Sequence, residues 1–276
     1  MKRIAIIGAG WLGLPLARRL KELRHTVFAS RRSEAGILEL AENGISGFIC
    51  DLNMPQDLSE TLSKFNIDTI VGSFPPGFRR GQGDEYISQW KELCEKSRIA
   101  GITKIIMISS STVYPDCTDD MSEDHASLEL ATNNDEFSAN AKRMLQAEQT
   151  VIDSGVNYVI VRCSGLIGPN RHPARFVSKL KQVSRLAPAN MLHLTDAIGA
   201  TVFAIEHLDH TIVNATTPAT VSKAEFYQAA LNAANLDDAL PPIVDIADKR
   251  IVSDKLMNAG YTFHYSHTLE ALKGNE

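Results

Sequence analysis

The stretch Arg3-Ile4-Ala5-Ile6-Ile7-Gly8-Ala9-Gly10-Trp11-Leu12-Gly13-Leu14-Pro15-Leu16 decides the fold of this chain. Ile4–Ile7 is an unbroken apolar run of strand length, the pattern of a strand covered on both faces of a parallel sheet. Glycines in Gly-x-Gly-x-x-Gly spacing follow at once, and Leu12, Leu16, Leu20 and Leu23 then recur at helical spacing. Pro15 falls in the first turn of that helix, where a missing N–H leaves no bond unmade. Glycine spacing alone is a weak signal, and the order strand, glycine turn, helix gives it meaning. In that order the first glycine permits the tight turn and the second lets the backbone approach a pyrophosphate. The third lets helix and strand pack closely, and the helix N-terminus offers N–H groups with partial positive charge. Gly8, Gly10, Trp11, Leu12 and Gly13 are therefore assigned to a dinucleotide site.

Outward from this unit, strands and helices alternate. Thr26–Ser30 reads as a second strand, then a helix over Glu34–Asn43, and Ile45–Cys50 as a third strand. Thr69–Phe74 is a fourth strand, closed by the loop Pro75-Pro76-Gly77. A helix over Asp84–Ala100, a fifth strand Lys104–Ser109, a helix over Ala139–Ser154 and a sixth strand Tyr158–Arg162 complete the series. That alternation predicts an α/β fold, a Rossmann-like doubly wound parallel sheet. After Gly165 prolines and glycines break the regularity, which predicts a smaller C-terminal substrate lobe. We place the dinucleotide-binding domain at 1–165, with about 193–215 packing back onto it, and the lobe at 166–192 and 216–276.

Composition narrows the functional classes. A net charge of −5 spread over 276 residues argues against a nucleic-acid footprint, which needs a concentrated basic face. No apolar run approaches the roughly 20 residues of a membrane span. Cys50, Cys94, Cys117 and Cys163 are scattered without a Cys-x-x-Cys pair, so no metal or disulfide use is expected and the reading is reduced thiols in a cytoplasmic protein.

The end of the second strand reports on the cofactor. A site preferring NAD places Asp or Glu there for the ribose 2′-hydroxyl, whereas Arg accommodates a 2′-phosphate. Here the strand runs out as Ala29-Ser30-Arg31-Arg32 with no acid. A guanidinium grips phosphate bidentately and Ser30 adds a hydrogen bond, so Ser30, Arg31 and Arg32 point to NADP, with NAD as the alternative. Asp51 and Leu52, past the third strand, are placed to meet the adenine. Phe74, Pro75 and Ser109 stand at carboxyl ends of strands, where the crevice of such a sheet opens.

Further segments recur in order along the chain. They are Ile108-Ser109-Ser110-Ser111-Thr112-Val113-Tyr114, Arg162-Cys163-Ser164-Gly165-Leu166-Ile167-Gly168-Pro169, Leu192-His193-Leu194-Thr195-Asp196-Ala197, and Lys249–Leu256 with Gly260-Tyr261. With them the chain resembles, over nearly its whole length, the extended short-chain dehydrogenase/reductase superfamily in its NAD(P)-dependent epimerase/dehydratase-like branch. The resemblance implies that Ser110, with Ser111 as a neighbour, hydrogen-bonds the reacting oxygen of a substrate, where a preorganised donor stabilises developing charge. It also implies a Tyr-x-x-x-Lys pair, in which the Lys lowers the pKa of a phenol that acts as acid and base.

That pair is missing. Four residues before Lys142 stands Ser138, and registering the helix on Ala147-Glu148 puts Asn140 and Met144 at the two positions. No tyrosine occurs between Pro115 and Asn157. Lys142 is then a candidate ribose or phosphate contact. Arg171 and His172, after the Gly-Pro turn, are candidate substrate contacts, an anion-binding cation and a group titrating near neutrality. The expectation is an NADP(H)-dependent oxidoreductase or epimerase-like enzyme on a small polar substrate, with a homodimer implied at family level. The alternative is a cofactor-binding sensor that has lost catalysis.

Overall fold

The structure is a computed structural model that describes residues 1–273. Its central element is a parallel sheet of seven strands: β1 (Arg3–Ile7), β2 (Thr26–Arg31), β3 (Ser46–Ile49), β4 (Thr69–Gly72), β5 (Lys104–Ser110), β6 (Asn157–Cys163) and β7 (Thr211–Ala215). The order is β7-β6-β5-β4-β1-β2-β3. Ile4 pairs with Val27 on one side and Thr69 on the other, so the strand order reverses at β1, the point where doubly wound sheets bind ligands. The connecting helices are α1 (Gly13–Glu22), α2 (Glu34–Glu42), α3 (Leu58–Lys64), α4 (Gly83–Ile99), α5 (Ala139–Ile152) and α6 (Leu194–His207).

Local sequence explains most of these elements. Ile4, Ile6, Ile70, Val71, Ile105 and Met107 are fully buried, as strands with helices on both faces require. α1 buries Leu16, Ala17 and Leu20 on one stripe. Trp90 of α4 is fully buried against β4 at Gly72, where a Cβ would stand 2.2 Å from the indole Cη2. Of these strands and connecting helices, two are not read from the sequence. α3 spans 7 residues, too short for a helical period to show, and β7 lies in the late segment where prolines and glycines had blurred the pattern.

The chain forms two compact units. The first comprises Met1–Ser109, Ala139–Val161 and Thr201–Ile212; the second comprises Ser110–Ser138, Arg162–Ala200 and the chain from Val213 on. In the second unit α7 (Lys223–Ala233) starts with a capping box between Ser222 and Glu225. It buries Phe226, Ala230 and Leu231 against Ile167, Val177 and Leu272. Short parallel pairs tie distant segments of this unit together: Gly165–Ile167 with Met191–His193, Val183–Ser184 with Ile243–Val244, and Asp120–Met121 with Arg250–Ile251. Among the described residues no helix is long and apolar enough to cross a membrane, and no cluster of three or more His, Cys, Asp or Glu is placed to hold a metal ion.

Candidate functional site

The glycine turn after β1 is held on two sides and open on the third. Gly8 has φ +93°, a conformation glycine adopts at no steric cost. Its N–H donates to Ser30 Oγ at 3.1 Å, and Ala9 N–H donates to the Ser30 carbonyl at 3.1 Å. Ser73 Oγ donates to the Gly8 carbonyl at 2.8 Å. A Cβ on Gly8 would lie 3.0 Å from the Phe74 nitrogen, and one on Gly13 would lie 2.6 Å from the Gly8 oxygen. Gly10 is exposed, and a Cβ there would meet nothing within 4 Å. α1 then begins with no side-chain cap and no acid in its first turn, so its positive end is left for an external anion. Leu12 is buried under this turn and Trp11 is half-buried.

The end of β2 distributes its polar groups differently. Ser30 is buried, its hydroxyl taken up by the Gly8 N–H, so it supports the turn from beneath. Arg31 pairs with Glu39 of α2 at 2.8 Å, while Arg32 is exposed. Cys50 N–H donates to the Arg31 carbonyl at 2.9 Å, which brings Asp51 and Leu52 next to the end of β2. Asp51 Oδ1 accepts from Asn53 N–H and Leu52 is buried. Phe74 packs edge-on to Tyr86 and beside Trp90, with ring centroids 5.6 and 4.8 Å away, and Pro75 is exposed. Ser109 is buried and donates at 2.5 Å to Glu148 of α5, itself buried. Lys142, also on α5, is half-buried, whereas Met144 is buried and Asn140 exposed.

Direct hydrogen bonds therefore join Gly8 to Ser30 on one side and to Ser73, the residue before Phe74, on the other; Ser73 was not among the residues singled out from the sequence. The signal was faint, a hydroxyl one position before Phe74. In the sequence Glu148 serves only to register the helix, and its partnership with Ser109 follows from the fold.

In the second unit Ser110 is half-buried, and its Oγ accepts from Thr112 N–H at 3.1 Å and contacts Thr112 Oγ1 at 2.9 Å. Ser110 thus caps the short turn Ser111–Val113, with Ser111 half-buried beside it. Tyr114 is committed to a buried hub. Its hydroxyl donates to Asn214 Oδ1 at 2.5 Å, and the guanidinium of the fully buried Arg162 lies over its ring and donates to its oxygen. Arg162 also donates to the carbonyls of Glu123 and Ala126, and the Glu123 carboxylate accepts from Asn214 N–H. Burial pushes the Tyr114 phenol up to about 12.

Arg171 is exposed, following the left-handed Asn170 (φ +62°). His172 caps a short helix, its Nδ1 accepting from Ala174 N–H at 3.3 Å. Partial burial, and after it the Arg175 charge, hold this imidazole below its ordinary value. His193 accepts from Thr195 N–H, and the buried Asp196 accepts from Tyr261 hydroxyl, His264 N–H and Tyr265 N–H. The Leu192–Ala197 segment is therefore an anchor for the C-terminal chain. Tyr86, Tyr114, Tyr227, Tyr261 and Tyr265 all have phenols raised by burial, so none of these is a lowered-pKa acid.

A family model described as NAD(P)H-binding matches residues 8–190. Protein YeeZ of Escherichia coli K12 is 29% identical over 233 residues, 82% of each chain. The dTDP-glucose 4,6-dehydratase of Bacillus anthracis, solved with NAD, superposes with a TM-score of 0.80 at 13% identity, covering 100% of this chain and 95% of that one. The UDP-glucose 4-epimerase of Thermotoga maritima, solved with UDP-glucose, has a TM-score of 0.76 at 16% identity, covering 99% and 97%. Identities this low establish a common fold.

Proposed function

We propose that this chain, which belongs to the NAD(P)H-binding family, holds NADP(H) on its Gly8–Gly13 turn and acts as an oxidoreductase or epimerase-like enzyme on a small polar substrate. The open face at Gly10 carries the reading. Gly8 and Gly13 are filled against neighbouring backbone, whereas Gly10 leaves clear space beside an uncapped helix N-terminus. NADP is favoured over NAD because β2 ends without a carboxylate and with Arg32 exposed. Arg31 supports the same choice, since an ion pair with a half-exposed glutamate is worth little and yields to phosphate. When bound, the dinucleotide supplies or accepts a hydride. The Ser110 hydroxyl donates to the substrate oxygen whose charge changes, Lys142 contacts ribose or phosphate, and Arg171 and His172 contact the substrate.

A second reading, a cofactor-bound sensor without turnover, is favoured by the tyrosines, because burial raises five of their phenols. Thermal unfolding with NADPH and with NADH tests the cofactor. Ligand at a hundred times its Kd stabilises by about 2.7 kcal/mol, a shift of several degrees. No shift with either would remove the cofactor reading, and a larger shift with NADH would reverse the choice. NADPH oxidation against a carbonyl panel, in wild type and Ser110→Ala, tests the enzyme. Turnover lost with Ser110→Ala is expected; equal rates would take Ser110 out of the chemistry.

A further inference from the structure

We infer that the second unit carries a binding site for an uncharged, polyhydroxylated small molecule. A cavity of about 460 Å³ lies wholly within this unit, inside the roughly 300–1,000 Å³ range of small-molecule sites. Ser110, Ser111, Arg171 and His172 do not line it. The lining combines apolar groups of Ala187, Val244 and Ile246 with the polar side chains of Asp116, Thr118 and Gln182. Lys223 and Asp248 also line it, their ion pair closed at 2.6 Å.

Charge balance selects the ligand class. Lys223 is the only cation among the lining residues described, and Asp248 already neutralises it. Beside it Lys249 pairs with Asp116 at 3.1 Å and stands 3.7 Å from Asp248. On flanking segments Arg185 pairs with Asp245, and Arg250 with Asp120. A nucleotide diphosphate would bring at least two negative charges against Asp116 and Asp248 and would compete with Asp248 for Lys223. A neutral polyol brings no such charge. Each carboxylate keeps acceptor capacity beyond its lysine, Lys223 keeps N–H donors, and the Gln182 amide both donates and accepts, which matches alternating hydroxyls. The apolar lining residues suit the C–H groups of a ring.

The rim is also preorganised. Ser184 Oγ donates to the Ile246 carbonyl at 2.5 Å and accepts from the N–H groups of Leu186 and Ala187. It therefore locks the two strands that flank the cavity, and less ordering entropy is lost on binding.

The site uses no group of the first unit, so it is tested without dinucleotide and independently of the cofactor reading. Titration calorimetry and ligand-observed NMR on the full chain would compare glucose and myo-inositol with UDP-glucose and inorganic pyrophosphate. Saturable millimolar binding of at least one neutral probe is expected, with pyrophosphate not competing. Ala247→Trp, at an exposed lining position, should weaken that binding at least tenfold with the unfolding midpoint unchanged, and Asp116→Asn should weaken it several-fold. The proposal is overturned if neither neutral probe saturates, if neither variant weakens binding, or if pyrophosphate displaces the neutral probe.

Discussion

Alanine at Gly10 should separate cofactor binding from folding, and alanine at Gly13 should not. At Gly10 the backbone is not in the left-handed region and the new methyl meets nothing within 4 Å. Stability should therefore stay within about 0.5 kcal/mol of wild type. The methyl would occupy the face where the dinucleotide pyrophosphate is proposed to approach. A tenfold or greater rise in the NADPH Kd is expected, equivalent to about 1.4 kcal/mol. At Gly13 the methyl would stand 2.6 Å from the Gly8 carbonyl oxygen, 2.8 Å from Ser73 Oγ and 3.2 Å from Ile6 Cγ2. The first of these is backbone and cannot rotate away, so the loop must shift. Overpacking of this kind costs about 1–3 kcal/mol, a drop of several degrees in Tm, with binding lost as well. Urea denaturation and NADPH fluorescence titration on the same preparations read both quantities. Wild-type affinity in Gly10→Ala, or equal destabilisation in the two variants, would refute the reasoning.

Other consequences are as direct. Arg162→Met removes a fully buried guanidinium that serves Tyr114 and two carbonyls. It should destabilise by about 3–5 kcal/mol in chemical denaturation, and a loss under about 1 kcal/mol would show that the hub relaxes without it. His172 is held below 6.5 in the fold, so the unfolded chain binds the proton more readily. Its contribution is complete at pH above 6.5 and declines as pH falls through that value toward the folded pKa. An NMR titration midpoint for His172 at or above 6.5 would contradict this, as would an acid limb of stability unchanged in His172→Gln. Burial pushes the Cys50, Cys94 and Cys163 thiols up to about 12, so a disulfide reagent at pH 8 should label them only as the chain unfolds. Rapid labelling of Cys94 or Cys163 in native protein would place them outside the core.

Much of the first unit was legible because its signals are local. Ile4–Ile7 and Ile105–Ile108 are apolar at every position, and only a strand covered on both faces requires that. The glycine turn is likewise a statement about a few adjacent residues. Apart from the short α3, misses occurred where the signal is not local. β7 joins the sheet beside β6 across about fifty residues of intervening chain, and the second unit is assembled from segments at 110–138, 162–200 and beyond 213. Its cavity draws lining residues from all of these segments, so no window of sequence contains it.

The Gly8–Gly13 turn, the strand before it and the helix after it were determined by sequence alone, since backbone sterics and apolar periodicity act between near neighbours. Which polar groups remain available was decided only by tertiary structure. Ser30 and Arg31 read as a phosphate grip, yet folding gives the Ser30 hydroxyl to the Gly8 N–H and sets Glu39 beside Arg31. Arg162 looked like one member of a short motif and is the buried centre of a hub that reaches Tyr114, Glu123 and Ala126. A hydroxyl or a charge bonds to whatever the fold brings within about 3 Å, and sequence spacing does not encode that distance.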